Sequence, residues 1–428
     1  MAKLHISEDW TATIVGLSVV TVTIAAFSFG ELLVPAAYKW EDLSGLAAIF
    51  TGNNIVSVLT WGLIAWLATV VIFALQGKPV SGTKGFLALY LIAVIASIIG
   101  GNSVVNGLGL ETVIFSLIIG LLINNIWGTP EWIKPALTSE LYVKVGLIFL
   151  GATILFQDIL KSGILGLVQA VVVVFTVWHF AFWLFRRLRL DKELSLMMAS
   201  GVSICGVAAA IASAGAIKGD PKKLSFVVSL VLVIAVPMIV LMPFLAHLLG
   251  LNDTLAGAWI GGTIDTTGAV VATGTLFGEE ALKISTIVKF SQNVLLGVAA
   301  FAIAIYWNVT QQAERRDLEG KRPSARLLWD RFPKFVLGFV LASLVFSLFF
   351  ADSSYKPLGA SLKAFQTLWF TLGFVSIGLE TNFRQLWNAD NKKATSGFIG
   401  AQTFNIVFTL IVASLVLASF GKYFRNNS

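Results

Sequence analysis

Long apolar stretches separated by short polar ones run the length of the chain. A membrane-spanning helix needs about 20 predominantly apolar residues. Eleven stretches read as such helices: 11–29, 55–76, 84–103, 112–127, 142–157, 164–187, 223–249, 282–307, 335–350, 361–379 and 394–420. Two more, 195–217 and 256–277, are apolar but rich in Gly, Ala, Ser and Thr, and they read as broken or re-entrant helices. The expected fold class is therefore all-α: a polytopic transmembrane helical protein with about eleven to thirteen membrane segments.

The two irregular segments repeat one another. Gly201-Val-Ser-Ile-Cys-Gly-Val-Ala-Ala-Ala-Ile-Ala lies over Gly261-Gly-Thr-Ile-Asp-Thr-Thr-Gly-Ala-Val-Val-Ala at a constant offset of 261 − 201 = 60. Paired Gly-interrupted segments point to a transporter site, because unwound backbone is tolerated at membrane depth only where it is buried or lines a wet cavity. The bland alternative is that small residues merely let ordinary helices pack closely. A weaker repeat relates Leu150–Leu160 to Leu372–Phe383 and puts a polar group, Gln157 or Glu380, at the end of each apolar span.

Composition strengthens the membrane reading. Of 428 residues, 57% are hydrophobic and 12% charged, about half the charge that a soluble surface needs. Mean hydropathy is +0.86. The 13 Trp suit the two membrane–water interfaces. The net charge of +7 comes from Lys and Arg gathered in short inter-span stretches, a positive-inside pattern and not a nucleic-acid stripe. The densest cluster, Arg315 to Lys334, lies in the polar stretch 308–334, which is expected to be a cytoplasmic linker. No cleavable signal peptide is evident. The division expected is 1–105 with additional transmembrane helices, 106–307 with both broken segments, the linker 308–334, and 335–428.

Charges within apolar spans are costly and are functional candidates. Asp265 stands in the second irregular segment among Thr263, Thr266 and Thr267; it reads as an ion-coupling residue or as a helix cap. Lys289 shares a face with Ser285, Gln292 and Asn293; this stripe is expected to face a cavity, where Lys289 would balance an anion. The alternative is a lysine reaching for the interface. His179 reads as a neutral packing residue. Cys205, the one cysteine, reads as a small buried side chain, with no His–Asp arrangement to activate it.

These same stretches carry a family resemblance. Ser203-Ile-Cys-Gly206 and Gly262–Ala272 resemble two motifs of a family of bacterial inner-membrane proteins named for sulfate export. Val288-Lys289 and Leu372–Arg384 resemble that family's next helix and its penultimate one. Where the second motif often carries His followed by Glu or Asp, this chain has Asp265 and Thr266, so no role of that histidine carries over. The resemblance covers about residues 110–421, with 1–105 as an N-terminal extension. It implies a two-domain carrier with inverted repeats in the bacterial inner membrane.

The expected function is secondary transport of a small anion, sulfate or an organic sulfonate, by alternating access. The candidate anion site comprises Ser203, Cys205, Gly206, Thr263, Thr266, Lys289 and Asn293. Candidate ion-coupling residues are Asp265, Glu380 and Gln157, with H⁺ or Na⁺ as the ion. The runner-up is a Na⁺- or H⁺-coupled carboxylate carrier. A membrane enzyme is disfavoured by three His and scattered carboxylates. A channel is disfavoured by the lack of a visible charge ring. No phosphate-binding Gly-rich loop calls for ATP. No metal or cofactor is expected. The partners expected are the anion and lipid, no nucleic acid, and a second copy of the chain in a homodimer.

Overall fold

The computed structural model describes residues 6–29, 36, 38–107, 112–314, 329, 332–350, 356–383 and 392–426. The helices, in chain order, are α1 Glu8–Ser28, α2 Leu43–Ile49, α3 Gly52–Leu75, α4 Lys84–Gly100, α5 Ser103–Gly107, α6 Thr112–Leu122, α7 Ser139–Gly151, α8 Phe156–Arg187, α9 Lys192–Ser200, α10 Val207–Ile217, α11 Pro221–Leu248, α12 Asp253–Thr263, α13 Thr267–Phe277, α14 Glu279–Glu314, α15 Phe335–Phe349, α16 Lys356–Glu380 and α17 Lys392–Asn426. Among the described residues there is no β-strand, only an isolated bridge between Trp40 and Asn102. Eight helices there are long and apolar enough to cross a membrane. The chain is a polytopic all-α membrane protein.

It divides into two compact units, each drawn from two stretches: 1–159 with 334–382, and 160–333 with 383–428. Residues 1–105 fall in the first unit, while 106–307 and 335–428 each contribute to both.

In the first unit α7 and α16 form the core, with Phe149 stacked on Phe365 and Phe365 on Trp61. At Gly120 of α6 a side chain would meet Val375 O at 2.6 Å, and at Gly378 of α16 one would meet Leu117 O at 2.6 Å. These two glycines let the helix backbones touch. One expected boundary shifts. The apolar span read over 142–157 stops at Gly151, and the chain breaks before α8 begins at Phe156. Two serines of α15 satisfy the freed groups: Ser343 Oγ donates to Ile154 O at 2.6 Å, and Phe156 N donates to Ser347 Oγ at 2.9 Å. Hydrophobicity alone runs across this break, because Ala152–Leu155 are apolar apart from Thr153.

In the second unit α14 packs against α10, α12 and α13, and α17 packs against α12. Trp259 Nε1 ties α12 to α17 through Ile406 O at 2.8 Å, and Gln169 Nε2 ties α8 to Ala258 O at 2.8 Å. At Gly261 an added side chain would run into the backbone of Ser285, so α12 and α14 are in direct backbone contact there. Helix α14 runs on to Glu314, into the stretch read as a linker; residues 315–328, 330 and 331 of that stretch lie outside the described residues.

Candidate functional site

Both irregular segments are interrupted. After α9 the helix widens into a π turn over Gly201–Cys205, closed by Gly206 N donating to Gly201 O at 3.0 Å. Gly206 has φ +57 and ψ −114, a conformation that only glycine adopts without strain, and α10 restarts at Val207. After α12, Ile264 and Thr266 are extended, and Thr266 Oγ1 caps α13 by accepting from Ala269 N at 3.2 Å. The breaks touch. A side chain at Gly206 would lie 3.0 Å from Thr266 Cγ2 and 3.2 Å from Asp265 O.

An interruption inside an apolar core frees carbonyls, which cost free energy unless paired. Four side chains pair them here. Asn405 Nδ2 donates to Val202 O (3.1 Å) and Thr263 O (2.9 Å). Gln402 Nε2 donates to Thr263 O (3.0 Å), and Gln292 Nε2 to Gly262 O (2.8 Å). Lys289 Nζ donates to Ile204 O (2.6 Å), Ile264 O (2.8 Å) and Gln292 Oε1 (3.0 Å). An ammonium has three protons, and Lys289 spends all of them on these acceptors. Lys289 and Asn405 each bridge both breaks. Lys289 is 1% exposed, so it does not reach for an interface.

The helix N-termini at the crossing are in a different state. Glycine 206 and Thr266 are the N-caps of α10 and α13, so the positive ends of two helix dipoles meet where these residues touch. The first amides of each helix have no intrahelical acceptor. Val207, Ala208 and Thr267 are half-buried, not sealed in the core.

Asp265 is 1% exposed, and neither carboxylate oxygen has a hydrogen-bond partner. Lys289, whose protons go elsewhere, is not bonded to it. Thr263 Oγ1, Gln402 Oε1 and Asn293 Oδ1 are also buried and unpartnered. Asn293 Nδ2 donates to Thr267 Oγ1 at 3.3 Å.

The structure thus gathers Ser203, Cys205, Gly206, Thr263, Asp265, Thr266, Lys289 and Asn293 at one crossing in the second unit. Ser203 Oγ donates to Ala199 O at 2.7 Å and so turns back onto its own helix. Cys205 is buried. The polar face of α14 lies against the breaks instead of an open cavity: Ser285, Lys289, Gln292 and Asn293 are all buried. His179 pairs through Nδ1 with Phe175 O at 2.7 Å.

Gln157 and Glu380 lie in the first unit. Gln157 is exposed, in the first turn of α8 and not at the end of a span, because the chain breaks at Ala152–Leu155. Glu380 ends α16 and accepts from Ser139 Oγ at 2.6 Å and Ser139 N at 3.5 Å, at the start of α7. Beside it, Asn124 and Asn125 donate to Thr381 O, each at 3.0 Å, and Thr129 donates to Leu379 O at 2.8 Å. Glu380 thus joins the end of α16 to the start of α7.

Sequence reasoning missed Gln402 and Asn405. Their signal was present: Gln402, Asn405 and Thr409 stand at i, i+3 and i+7 in the last apolar span, the same kind of polar stripe that singled out α14.

Comparison with known proteins agrees with a membrane protein. A protein-family profile described as "Conserved hypothetical protein 698" matches residues 84–397. A UPF0324 membrane protein of Rhodopirellula baltica is 39% identical over 367 residues, covering 83% of this chain and 67% of the relative. One of Nitratidesulfovibrio vulgaris is 38% identical over 347 residues, covering 78% of this chain and 59% of the relative. Another, of Nitrosomonas europaea, is 25% identical and covers 89% of each chain. The chain thus spans about three fifths to two thirds of the first two relatives. No solved structure matches the chain. On the family profile and these identities, the chain belongs to the UPF0324 membrane protein family.

Proposed function

We propose that the protein is a secondary carrier for a small oxyanion, sulfate or an organic sulfonate, working by alternating access in a bacterial inner membrane. One observation carries this reading. At the crossing side chains pair the carbonyls of Val202, Ile204, Gly262, Thr263 and Ile264, whereas the N-termini of α10 and α13, whose first amides have no intrahelical acceptor, converge there. Half-positive helix ends with free N–H groups are a ready seat for an oxyanion. Thr266 and Thr267 add hydroxyls beside that seat.

In this arrangement Lys289 does not bind the anion by direct contact. It fixes the crossing and supplies a positive charge close by. Asp265 carries the coupling ion, H⁺ or Na⁺. A carboxylate shares the chemistry of the seat, so an ion-coupled carboxylate carrier is the alternative, supported by the unpartnered acid.

The test is flux in proteoliposomes of the full chain, comparing labelled sulfate, a short-chain sulfonate and a dicarboxylate, under imposed Na⁺ or H⁺ gradients. Gradient-driven flux of sulfate or sulfonate above that of empty liposomes is expected. Preferred dicarboxylate flux moves the substrate to the alternative. No flux of any of the three under either gradient overturns the carrier reading.

A further inference from the structure

We propose that Thr263, Asp265 and Gln402 bind a small dehydrated alkali cation such as Na⁺ beside the helix crossing. This deepens the carrier reading by naming its coupling ion, and it rests on that reading only for what the ion drives.

Four side-chain oxygens carry the inference: Thr263 Oγ1, Asp265 Oδ1 and Oδ2, and Gln402 Oε1. All are buried, and none has a hydrogen-bond partner. They come from the break after α12 and from α17, which lies across it. Gln402 cannot turn its oxygen away freely. Its Nε2 is held by Thr263 O at 3.0 Å and by Met238 Sδ at 3.1 Å, and its side chain adjoins the Asp265 carboxyl.

Buried polar atoms are ordinarily paired, and each exception asks for a reason. A single proton on Asp265 would supply one donor to a group of acceptors and leave the others unmet. A metal cation meets several at once. The donor set is all oxygen, which suits hard cations and not the softer transition metals. It carries one negative charge, and the Lys289 ammonium is bonded to Ile264 O, the carbonyl next to Asp265. That neighbouring positive charge opposes a divalent ion and favours a monovalent one.

The charges also fix the sign of coupling. Lys289 and Asp265 cancel when nothing is bound. A bound Na⁺ leaves one positive charge buried at the crossing, and an anion at the two helix N-termini offsets it. Each ligand then strengthens the other, and by linkage the enhancement is reciprocal.

The experiment uses the purified full chain in detergent at pH 8, with chloride as the only anion. NaCl replaces choline chloride at constant ionic strength while the melting temperature is followed. A ligand that binds only the folded chain raises it in proportion to log[Na⁺] once binding saturates. We expect that rise with Na⁺, a smaller one with K⁺, and none with Asp265→Asn. Thr263→Val and Gln402→Leu each shift the half-effective Na⁺ concentration upward at least tenfold. They keep the test decisive should Asp265→Asn fail to fold.

A melting temperature indifferent to Na⁺, or a Na⁺ response unchanged in all three variants, overturns the site. A response to pH alone that is lost in Asp265→Asn overturns it in favour of a proton. No substrate anion is present, so failure here leaves the anion-carrier reading standing. Absent anion flux with an intact Na⁺ response does the reverse.

Discussion

The carbonyls of Ile204 and Ile264 share one ammonium: Lys289 Nζ lies 2.6 Å from the first and 2.8 Å from the second. The two residues are 264 − 204 = 60 apart, the offset of the sequence repeat. A single side chain therefore reads equivalent positions of both copies and pins one break to the other. Substituting Lys289 by Met leaves both carbonyls and Gln292 Oε1 without a donor. At about 1–3 kcal/mol for each buried unpaired group, offset by relief of a buried charge, the loss is about 3–5 kcal/mol. The expected outcome is a fall of many degrees in melting temperature, or failure to fold, before any effect on transport is considered. A Lys289→Met protein as stable as the parent would show that the tether contributes nothing.

Asn405 makes the second bridge, to Val202 O and Thr263 O, and its own Oδ1 accepts from Thr409 at 2.8 Å. Asn405→Asp keeps the shape and the acceptor but removes the donor and adds a charge against two carbonyls. Asn405→Leu removes the donor without the charge and costs about 1–3 kcal/mol per carbonyl. Melting temperatures should fall in the order parent, Leu, Asp. Equal stability of the Leu variant and the parent would mean that other groups satisfy these carbonyls.

Two glycines of one motif should behave oppositely. Gly206 has φ +57, and an added Cβ would sit 2.8 Å from Val231 Cγ1 and 3.0 Å from Thr266 Cγ2. Strain and crowding together make Gly206→Ala destabilising by about 2–3 kcal/mol or more. At Gly201 the backbone is right-handed helical, and the nearest atom to an added Cβ is Val231 Cγ2 at 3.3 Å. Gly201→Ala should change stability by less than about 1 kcal/mol, since Ala is also the better helix former. Thermal denaturation of both variants decides; equal losses would deny that the Gly206 conformation matters.

Much of this was legible in the sequence because spanning helices advertise themselves by length and hydrophobicity. The breaks were legible too, since Gly201, Gly206, Gly261 and Gly262 interrupt otherwise apolar runs in matched copies. What the sequence did not reveal was pairing. Nothing in the order of residues says that Lys289 bonds to carbonyls instead of facing a cavity, because a lysine donates equally well to either. Glu380 resembled an intramembrane acid, but the start of α7, which places Ser139 against it, is far away in the chain. The break at Ala152–Leu155 was hidden because its residues are nearly all apolar, and the serines that satisfy it come from α15.

Outside the spans, the N-cap of α9 gives a pH-dependent prediction. Asp191 accepts from Leu194 N at 3.1 Å and from Lys223 Nζ at 2.6 Å. Partial burial pushes its carboxyl up, but the Lys223 ammonium and the Leu194 amide outweigh this and hold it below the usual carboxylate range. The folded state is thus the poorer proton binder. Its contribution is complete above about pH 4, the range of a free aspartate, and is lost as pH falls through the lower folded value. Protection of the amides at the start of α9, taken as exchange relative to the intrinsic rate at each pH, should fall on acidification below that range. Asp191→Asn should exchange faster than the parent at neutral pH and lose the acid dependence. An unchanged acid response in this variant would assign it to another carboxylate.

Asp265, which is buried, and Glu380, which is half-buried, should separate cleanly on substitution. Glu380 takes hydrogen bonds from Ser139 Oγ and N at the start of α7, where a carboxylate also favours the helix dipole. Glu380→Gln keeps an acceptor but loses the charge, at a cost of about 1–2 kcal/mol. Asp265 has no donor on either oxygen. Asp265→Asn removes a buried charge that no hydrogen bond satisfies, at the cost of the charge that balances Lys289, whose three hydrogen bonds remain. In Na⁺-free buffer its melting temperature should equal or exceed that of the parent, while Glu380→Gln should melt lower. In proteoliposomes the pattern inverts. Glu380→Gln should keep gradient-driven flux wherever it folds, and Asp265→Asn should carry anion without responding to the ion gradient. A destabilised Asp265→Asn with normal coupling would make Asp265 a structural cap and remove it from the transport site.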